Sequence, residues 1–159
     1  MTNYYLGVDV GTGSARAGLF DAGGTMLASA RRDIAIWREA GGIVEQSSDD
    51  IWQAVCESVR EVVRVAGVDP AAVAGIGYDA TCSLVVLGEG GKPLAVGPSN
   101  DRARNIIVWM DHRAGEQAER INTTKADVLG YVGGAISPEM ETPKLLWLKE
   151  HKPETFAAA

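Results

Sequence analysis

The stretch Leu6 to Phe20, LGVDVGTGSARAGLF, constrains the fold more than any other part of the chain. It is typical of two short strands joined by a tight turn that is rich in glycine and hydroxyl side chains. Gly11 and Gly13 predict a backbone that folds back with positive φ and brings N–H groups close to a ligand. Thr12 and Ser14 add hydroxyl donors. Such a turn suits a phosphate group, and a plain β-turn is the alternative.

Asp9 is the only charged residue in the apolar run that precedes this turn. An unpaired carboxylate that is buried in such a run would cost several kcal/mol of desolvation. The sequence therefore predicts a cationic partner for Asp9.

Two better-known phosphate loops do not fit these residues. A P-loop needs a Gly-Lys-Ser/Thr ending and a following helix. A dinucleotide fingerprint needs a third glycine, and Arg16 stands at that position. Instead, the turn signal Asp21-Ala22-Gly23-Gly24 leads into a third strand-like run, Met26 to Ala30. This succession of strands and turns resembles the first phosphate loop of the actin-like ATPase superfamily.

The composition limits the kinds of partner. The chain has 159 residues, which fit one domain, and a formal charge of -6 with a sequence pI near 4.9. This acidity argues against a nucleic-acid partner or a polyanionic membrane surface. The sequence has no basic leader and no apolar run of about 18 residues. Cys56 and Cys82 form neither a disulfide framework nor a metal set. We therefore expect a soluble cytoplasmic protein, and a homodimer is left open.

The first clear helix is predicted over Asp49 to Ala66, with Ser47 and Ser48 as its cap. A short turn at Asp69-Pro70 then leads into a second apolar strand, Val73 to Tyr78. This strand also ends on an acidic residue, Asp79, and so repeats the Asp9 arrangement. The small polar residues that follow are typical of a loop that faces a cleft, with an Asx turn at Asp79 as the equal alternative.

A third buried strand is predicted at Asn105 to Trp109, followed by a helix from Ala114 to about Ile121. A bulky aromatic residue at the end of a strand, such as Trp109, can line a sugar pocket, although a core position is the more common outcome. His112 and Arg113 are typical of a solvated helix start. The roles of Arg102 and Arg104, surface or substrate clamp, stay open.

The last stretch predicts a helix at Asp127 to Val132 and then a rigid polar loop at Ser137 to Lys144. Further helices are predicted at Pro143 to Glu150 and from Pro153 to Ala159. This loop carries three charged residues, Glu139, Glu141 and Lys144. Such a group is usually at the surface, and a position in a cleft is the alternative. The ending is typical of a chain that has been cut.

Taken together, five motifs resemble the amino-terminal part of the FGGY carbohydrate kinases, in that family's order and over nearly the whole chain. They are Asp9 to Arg16, Val44-Glu45-Gln46-Ser47 with Asp50-Ile51-Trp52, Gly75 to Thr81, Val108 to Arg113, and Pro143 to Trp147. The forms Asp-Ala-Thr-Cys-Ser and Trp-Met-Asp-His-Arg look most like the ribulokinase and ribitol kinase branch. Glycerol kinases carry an Arg-Glu pair near Tyr78 to Thr81, and its loss argues against glycerol.

The resemblance implies an RNase H-like α/β domain with a five-stranded mixed sheet flanked by helices. It also implies ATP-dependent phosphorylation of a sugar hydroxyl on a pentulose or pentitol. In this comparison Asp9 matches an acid that helps to hold Mg²⁺, largely through water. The residues that match the nucleotide phosphate site are Gly11, Thr12, Gly13, Ser14 and Arg16. The residues that match the sugar pocket or a loop beside it are Asp79, Ala80, Thr81, Trp109, Asp111, Glu139 and Lys144.

The resemblance further implies that residues 1–159 are an incomplete amino-terminal kinase domain and are inactive alone. The adenosine-binding domain and the carboxylate that accepts the sugar proton would then lie beyond this chain. Two alternatives stay open. One is a kinase of the same family for xylulose or another polyol, and the other is an actin-like ATP-binding module without sugar kinase activity.

Overall fold

The computed structural model describes residues 3–159, which form two compact units. Unit 1 holds the described residues up to Ala35 together with Asp49–Thr81. Unit 2 holds Ile36–Ser48 and Cys82–Ala159. Strands and helices are numbered below in chain order.

A four-stranded mixed sheet forms the centre of unit 1. Its strands are β1 (Tyr4–Val10), β2 (Ser14–Asp21), β3 (Met26–Asp33) and β6 (Val73–Ala80). Their order across the sheet is β3-β2-β1-β6, with β2 antiparallel to both β1 and β3, and β6 parallel to β1. The three consecutive strands and their turns confirm the hairpin arrangement that the sequence predicts.

Helix α1 (Ser48–Ala66) covers one face of this sheet. Val55 and Val62 of the helix pack against alternate residues of the two central strands, because strand side chains alternate between faces. These sheet residues are Leu6, Val8, Val10, Ala15, Ala17 and Leu19. The predicted helix and its apolar stripe are thereby confirmed.

The strand count differs from the five strands that the family resemblance implies. Within residues 3–159 the sheet of unit 1 has four strands, and β6 forms its edge. An edge strand is poorly covered, and the side chains of Ile76 and Tyr78 are accordingly exposed. The α/β class with a mixed sheet is confirmed, whereas five strands is wrong for these residues.

A second sheet, all antiparallel, forms part of unit 2. Its strands are β4 (Trp37–Glu39), β5 (Ile43–Gln46), β7 (Leu84–Val85) and β8 (Ile106–Ile107), in the order β4-β5-β8-β7. The strand predicted at Asn105 to Trp109 is therefore shorter than expected. The N–H of Trp109 donates to the hydroxyl of Ser83 (3.1 Å) instead of extending the ladder.

The helices of unit 2 are α2 (Gly115–Thr123), α3 (Glu141–His151) and α4 (Pro153–Ala158). The helix predicted at Asp127 to Val132 is confirmed as a 3₁₀ helix, Asp127–Val132, which ends at Gly133, where φ is +81°. Helix α3 starts two residues before the predicted start. Glu141 and Lys144 therefore lie on the first turns of a helix rather than in a loop, which corrects the prediction for this segment.

No helix in the described part of the chain combines the length and the apolar character that crossing a membrane requires.

Candidate functional site

The turn between β1 and β2 is compact and is fixed at both sides. The N–H of Gly11 donates to the carbonyl of Ser14 (3.0 Å), which closes the turn. The N–H of Ile34 donates to the carbonyl of Gly13 (3.2 Å), which ties the turn to the end of β3. Ser14 is buried, whereas Gly13 is exposed at the tip. The predicted phosphate turn is thus a rigid loop with an exposed tip.

The glycines of this turn have a different structural role from the one that the sequence predicts. Neither Gly11 nor Gly13 has positive φ, so the prediction of a left-handed backbone there is wrong. A Cβ on Gly11 would lie 2.7 Å from Nη2 of Arg16, and a Cβ on Gly13 would meet nothing within 4 Å. Gly11 therefore leaves room for the Arg16 guanidinium, and the tip at Gly13 leaves room for a ligand.

Asp9 has the cationic partner that the sequence predicts. Its Oδ2 lies 3.4 Å from Nε of Arg16, and both side chains are about half exposed, at 53% and 54%. The expectation of a cation is confirmed, but its premise is wrong because Asp9 is not buried. The carboxylate points to the sheet face opposite α1, so a ligand can reach it.

Four charged residues form a row across this open face. The register pairs Asp79 with Asp9, Asp9 with Arg16, and Arg16 with Arg31, so the row crosses all four strands. All four residues line one trough of about 740 Å³. Two neighbouring carboxylates therefore stand at one end of the row and two neighbouring guanidinium groups at the other.

The floor of this trough is made of glycine. Gly7 is paired with Gly18 on one side and with Gly77 on the other. These three residues carry no side chain on the open face, which leaves room for the ring of Phe20 beside Gly7 and Gly18. The ring of Phe20 lies over Gly18, since a Cβ there would fall 2.9 Å from it.

The end of β6 holds the residues that the sequence assigned to the sugar. Asp79 Oδ1 accepts a hydrogen bond from the N–H of Ala80 (3.0 Å). The N–H of Thr81 donates to the carbonyl of Val10 (3.0 Å), which fixes the ends of β6 and β1 together. Asp79, Ala80 and Thr81 are thus brought beside Asp9 and its turn.

The half-exposed carboxylate of Asp9 fits a magnesium ion that keeps much of its water. Mg²⁺ is bound through one or two carboxylates together with phosphate oxygens and waters. In residues 3–159, no group of three or more His, Cys, Asp or Glu side chains is arranged to hold a metal. This donor set therefore suits an ion that arrives with a nucleotide rather than a permanent metal centre.

Unit 2 contains a buried ionic cluster centred on Arg113. Its side chain is only 2% exposed, so the prediction of a solvated helix start is wrong for this residue. Arg113 donates to both carboxylate oxygens of Asp111 (2.8 to 3.0 Å), to Oε1 of Glu45 (2.9 Å) and to the carbonyl of Val96 (2.8 Å). Its guanidinium also lies 4.9 Å from the ring centre of Trp147. The cluster joins three of the sequence motifs.

The two acids of this cluster differ in their environment. Asp111 is fully buried and also accepts the N–H of Val44 (2.6 Å) at Oδ2. Burial raises the pKa of Glu45, and the Arg113 charge opposes that rise only in part. Gly97 packs directly on this carboxylate, because a Cβ there would lie 1.9 Å from Oε1 of Glu45. Sequence analysis gave no role to Glu45, although its place in the motif Val44-Glu45-Gln46-Ser47 was a usable signal.

Lys144 is fully buried and acts as a clamp. Its Nζ donates to three backbone carbonyls, those of Val108 (3.1 Å), Trp109 (3.0 Å) and Glu139 (2.7 Å). Burial lowers the pKa of Lys144, and the nearby charge of Glu141 opposes this shift. Lys144 thereby joins the end of β8 to the loop that precedes α3.

Trp109 and Glu139, which Lys144 holds in place, keep partly exposed side chains. Oε1 of Glu139 lies 2.9 Å from Nε2 of His112.

The guanidinium of Arg104 is paired with Glu39 and stacks at 5.1 Å on Trp37. These contacts hold the Arg104 side chain in place within unit 2.

The chain matches the N-terminal domain of the FGGY family of carbohydrate kinases over residues 4–159. It is 53% identical over 148 residues to an FGGY carbohydrate kinase domain-containing protein of Xenopus laevis, covering 93% of this chain and 26% of that protein. It is 51% identical over 150 residues to a D-ribulokinase of Saccharomyces cerevisiae, covering 93% of this chain and 21% of that protein. The chain thus spans about a quarter or less of these relatives.

Solved structures agree with this relationship. A gluconate kinase from Lactobacillus acidophilus superposes with a TM-score of 0.82 and 26% identity, over 100% of this chain and 30% of that one. A xylulose kinase from Rhodospirillum rubrum gives the same TM-score at 23% identity, over 98% of this chain and 31% of that one, and supports the fold alone. The match over residues 4–159 and the sequence identities together show that this chain belongs to the FGGY family of carbohydrate kinases.

Proposed function

We propose that this chain is the amino-terminal part of a kinase that transfers the γ-phosphoryl group of ATP to a hydroxyl of a pentulose or pentitol, of the D-ribulose or ribitol type. The observation that carries the proposal is the pairing of Asp9 with Asp79 beside the Gly11 to Ser14 turn. Such a site combines a place for a phosphate chain with a second carboxylate that can bind a hydroxyl.

The nucleotide phosphates are proposed to bind at Gly11, Thr12, Gly13 and Ser14, with Arg16 beside them. Phosphoryl transfer requires alignment and neutralisation of charge more than covalent chemistry by the enzyme. The hydrogen bond from the Gly11 N–H to the Ser14 carbonyl already fixes this turn, so its exposed tip can stabilise negative charge without reorganising. Arg16, which lies across Gly11, adds a guanidinium at the same end of the turn.

Asp9 is proposed to hold Mg²⁺, largely through water. When bound, the ion would neutralise charge on the phosphate oxygens. The half exposure of Asp9 supports this role, because a water-mediated ion needs room around the carboxylate. Arg16 then serves as the partner of Asp9 when no ion is present.

Sugar hydroxyls are proposed to contact Asp79, Ala80 and Thr81 in unit 1. In unit 2, Trp109 and Glu139 are the proposed sugar contacts, since their side chains are partly exposed. Asp111 and Lys144, which are fully buried and hydrogen-bonded within the protein, are proposed to position those contacts instead of meeting the sugar themselves.

The choice of a five-carbon substrate rests on two supports. One is the motif Asp79-Ala80-Thr81-Cys82-Ser83, without the Arg-Glu pair typical of glycerol kinases. The other is the 51% identity to a D-ribulokinase. Because a few pocket contacts separate related sugars by only about 1–3 kcal/mol, xylulose stays the competing substrate.

A substrate panel tests this proposal. The complete product of the gene would be assayed for ADP release from MgATP with ribulose, xylulose, ribitol and glycerol. We expect the highest kcat/KM with ribulose or ribitol. A preference for glycerol would contradict the substrate assignment, and binding of ATP without turnover on any sugar would favour a non-kinase module.

A further inference from the structure

Arg16 and Arg31 stand directly opposite each other on the antiparallel strands β2 and β3. Both line the same trough. Like charges at directly opposite positions destabilise a sheet, and such residues lie with Cα atoms only about 5 Å apart. An anion bound between the two guanidinium groups would relieve this repulsion.

The anions within the protein compensate only partly. Arg16 has Asp9 at 3.4 Å, and Arg31 donates through Nη2 to Oδ1 of Asp33 at 2.9 Å. The Arg31 and Asp33 side chains are 65% and 83% exposed. Exposed ion pairs of this type contribute about 0–1 kcal/mol to stability, so the pair with Asp33 does little to stabilise an arginine at this position.

The position of Arg31 relates it to the phosphate turn. Asp33 is paired with Ser14, and the N–H of Ile34 donates to the carbonyl of Gly13. Arg31 therefore stands on the strand end that is hydrogen-bonded to the turn, on the same open face as Arg16. A phosphate chain that leaves the turn over this face would meet both guanidinium groups.

We propose that Arg31 is a second basic residue of the nucleotide phosphate site and forms an anion-binding pair with Arg16. This inference rests on the proposed function, because it assumes that MgATP binds at the turn. Guanidinium groups suit this task since their planar donors match two phosphate oxygens at once. The row across the sheet then has an acidic end, Asp79 and Asp9, and an anion-binding end, Arg16 and Arg31.

The test measures binding and turnover of the complete gene product in four forms: wild type, Arg31→Gln, Asp33→Asn and Arg60→Gln. Titration calorimetry would give the affinities for MgATP and for tripolyphosphate, and steady-state kinetics the KM for each substrate. Arg60 is a matched control because it is an exposed arginine on α1, which covers the other face of the sheet. Circular dichroism would check that each variant folds.

Arg31→Gln is expected to weaken the binding of both phosphate compounds by about tenfold or more, the range for a lost charge-assisted hydrogen bond. The KM for the sugar should stay within twofold, and Arg60→Gln should bind like wild type. Asp33→Asn should bind at least as tightly as wild type, because it frees Arg31. Affinity of Arg31→Gln within twofold of wild type would overturn the inference, and so would an equal loss in Asp33→Asn.

The two proposals fail in different ways. If wild type binds MgATP and turns over no sugar, yet Arg31→Gln still weakens binding, the kinase proposal fails and the anion pair stands. If sugar turnover is observed and Arg31→Gln leaves the KM for MgATP unchanged, only the anion pair fails. If wild type binds neither MgATP nor tripolyphosphate, both are overturned.

Discussion

Asp9 on β1 and Asp79 on β6 are paired in the parallel register, and both line the open trough of unit 1. Residues that are 70 positions apart in the sequence are thereby placed on neighbouring strands. The pairing explains why both apolar strands end in an acidic residue. It also gives the proposed site a carboxylate for the cation and another for the sugar.

Replacing Asp79 by Ala should impair the reaction much more than the fold. Asp79 is exposed, and surface substitutions usually change stability by less than about 0.5 kcal/mol. Loss of a charged contact to a substrate hydroxyl costs about 1.5–3 kcal/mol, so kcat/KM for the sugar should fall by roughly 10- to 100-fold. Steady-state kinetics of the complete protein would measure this. An unchanged kcat/KM would remove Asp79 from the sugar site.

Lys144→Met should destabilise unit 2 substantially. The substitution leaves three buried carbonyls without the Nζ donor, those of Val108, Trp109 and Glu139. We expect a loss of about 2–4 kcal/mol in the free energy of unfolding, measured in urea. Lys149→Met is the control on the same helix. Lys149 is exposed, so this substitution should change the free energy of unfolding by less than about 0.5 kcal/mol. Equal effects in the two variants would show that the clamp contributes nothing specific.

Gly97→Ala should be costly although it adds a single methyl group. The new Cβ would lie 1.9 Å from Oε1 of Glu45, which is itself held by Arg113. Overpacking of this kind typically costs about 1–3 kcal/mol. Gly130→Ala is the matched control, since a Cβ there meets nothing within 4 Å. If both variants unfold at the same urea concentration as wild type, the packing of Gly97 on Glu45 is incorrect.

The raised pKa of Glu45 predicts a specific pH dependence of stability. Because burial raises this pKa, the folded state binds a proton more readily than the unfolded state does. The difference in unfolding free energy between wild type and Glu45→Gln should therefore shift in favour of wild type as the pH falls through the folded pKa towards 4.5. Titrating groups other than Glu45 cancel in this difference. A difference that is flat over that range, or that shifts the opposite way, would contradict the assignment.

Sequence patterns predict the parts of this chain that local rules determine. The alternation of apolar residues and the Asp21 turn are sufficient to define β1, β2 and β3, because side-chain period and turn chemistry act over few residues. The same holds for α1, whose apolar stripe and acidic first turn are both local signals. The candidate site residues were predicted from the resemblance to a family, which rests on five motifs in a fixed order.

The errors lie where tertiary contacts decide the outcome. Arg113 and Lys144 are typical surface residues by type, yet both side chains are buried, and each donates to a partner from a distant segment, Glu45 for Arg113 and the Trp109 carbonyl for Lys144. Gly11 has no positive φ, and it instead makes room for the Arg16 side chain on the neighbouring strand, a contact that no local pattern reveals. The opposition of Arg16 and Arg31 likewise depends on strand register, which a sequence does not display.

The most direct test of the account is ADP release from MgATP by the complete gene product, measured with its best five-carbon substrate, for wild type and Asp9→Asn. Asp69→Asn is the control, because Asp69 is an exposed acid of unit 1 that caps the turn before β6 and asparagine can accept the same hydrogen bond. We expect Asp9→Asn to lose at least about 100-fold in kcat, as for removal of a group that stabilises transferring charge, while Asp69→Asn keeps wild-type turnover. Wild-type turnover in Asp9→Asn would contradict the assignment of Asp9 and, with it, the proposed phosphate site.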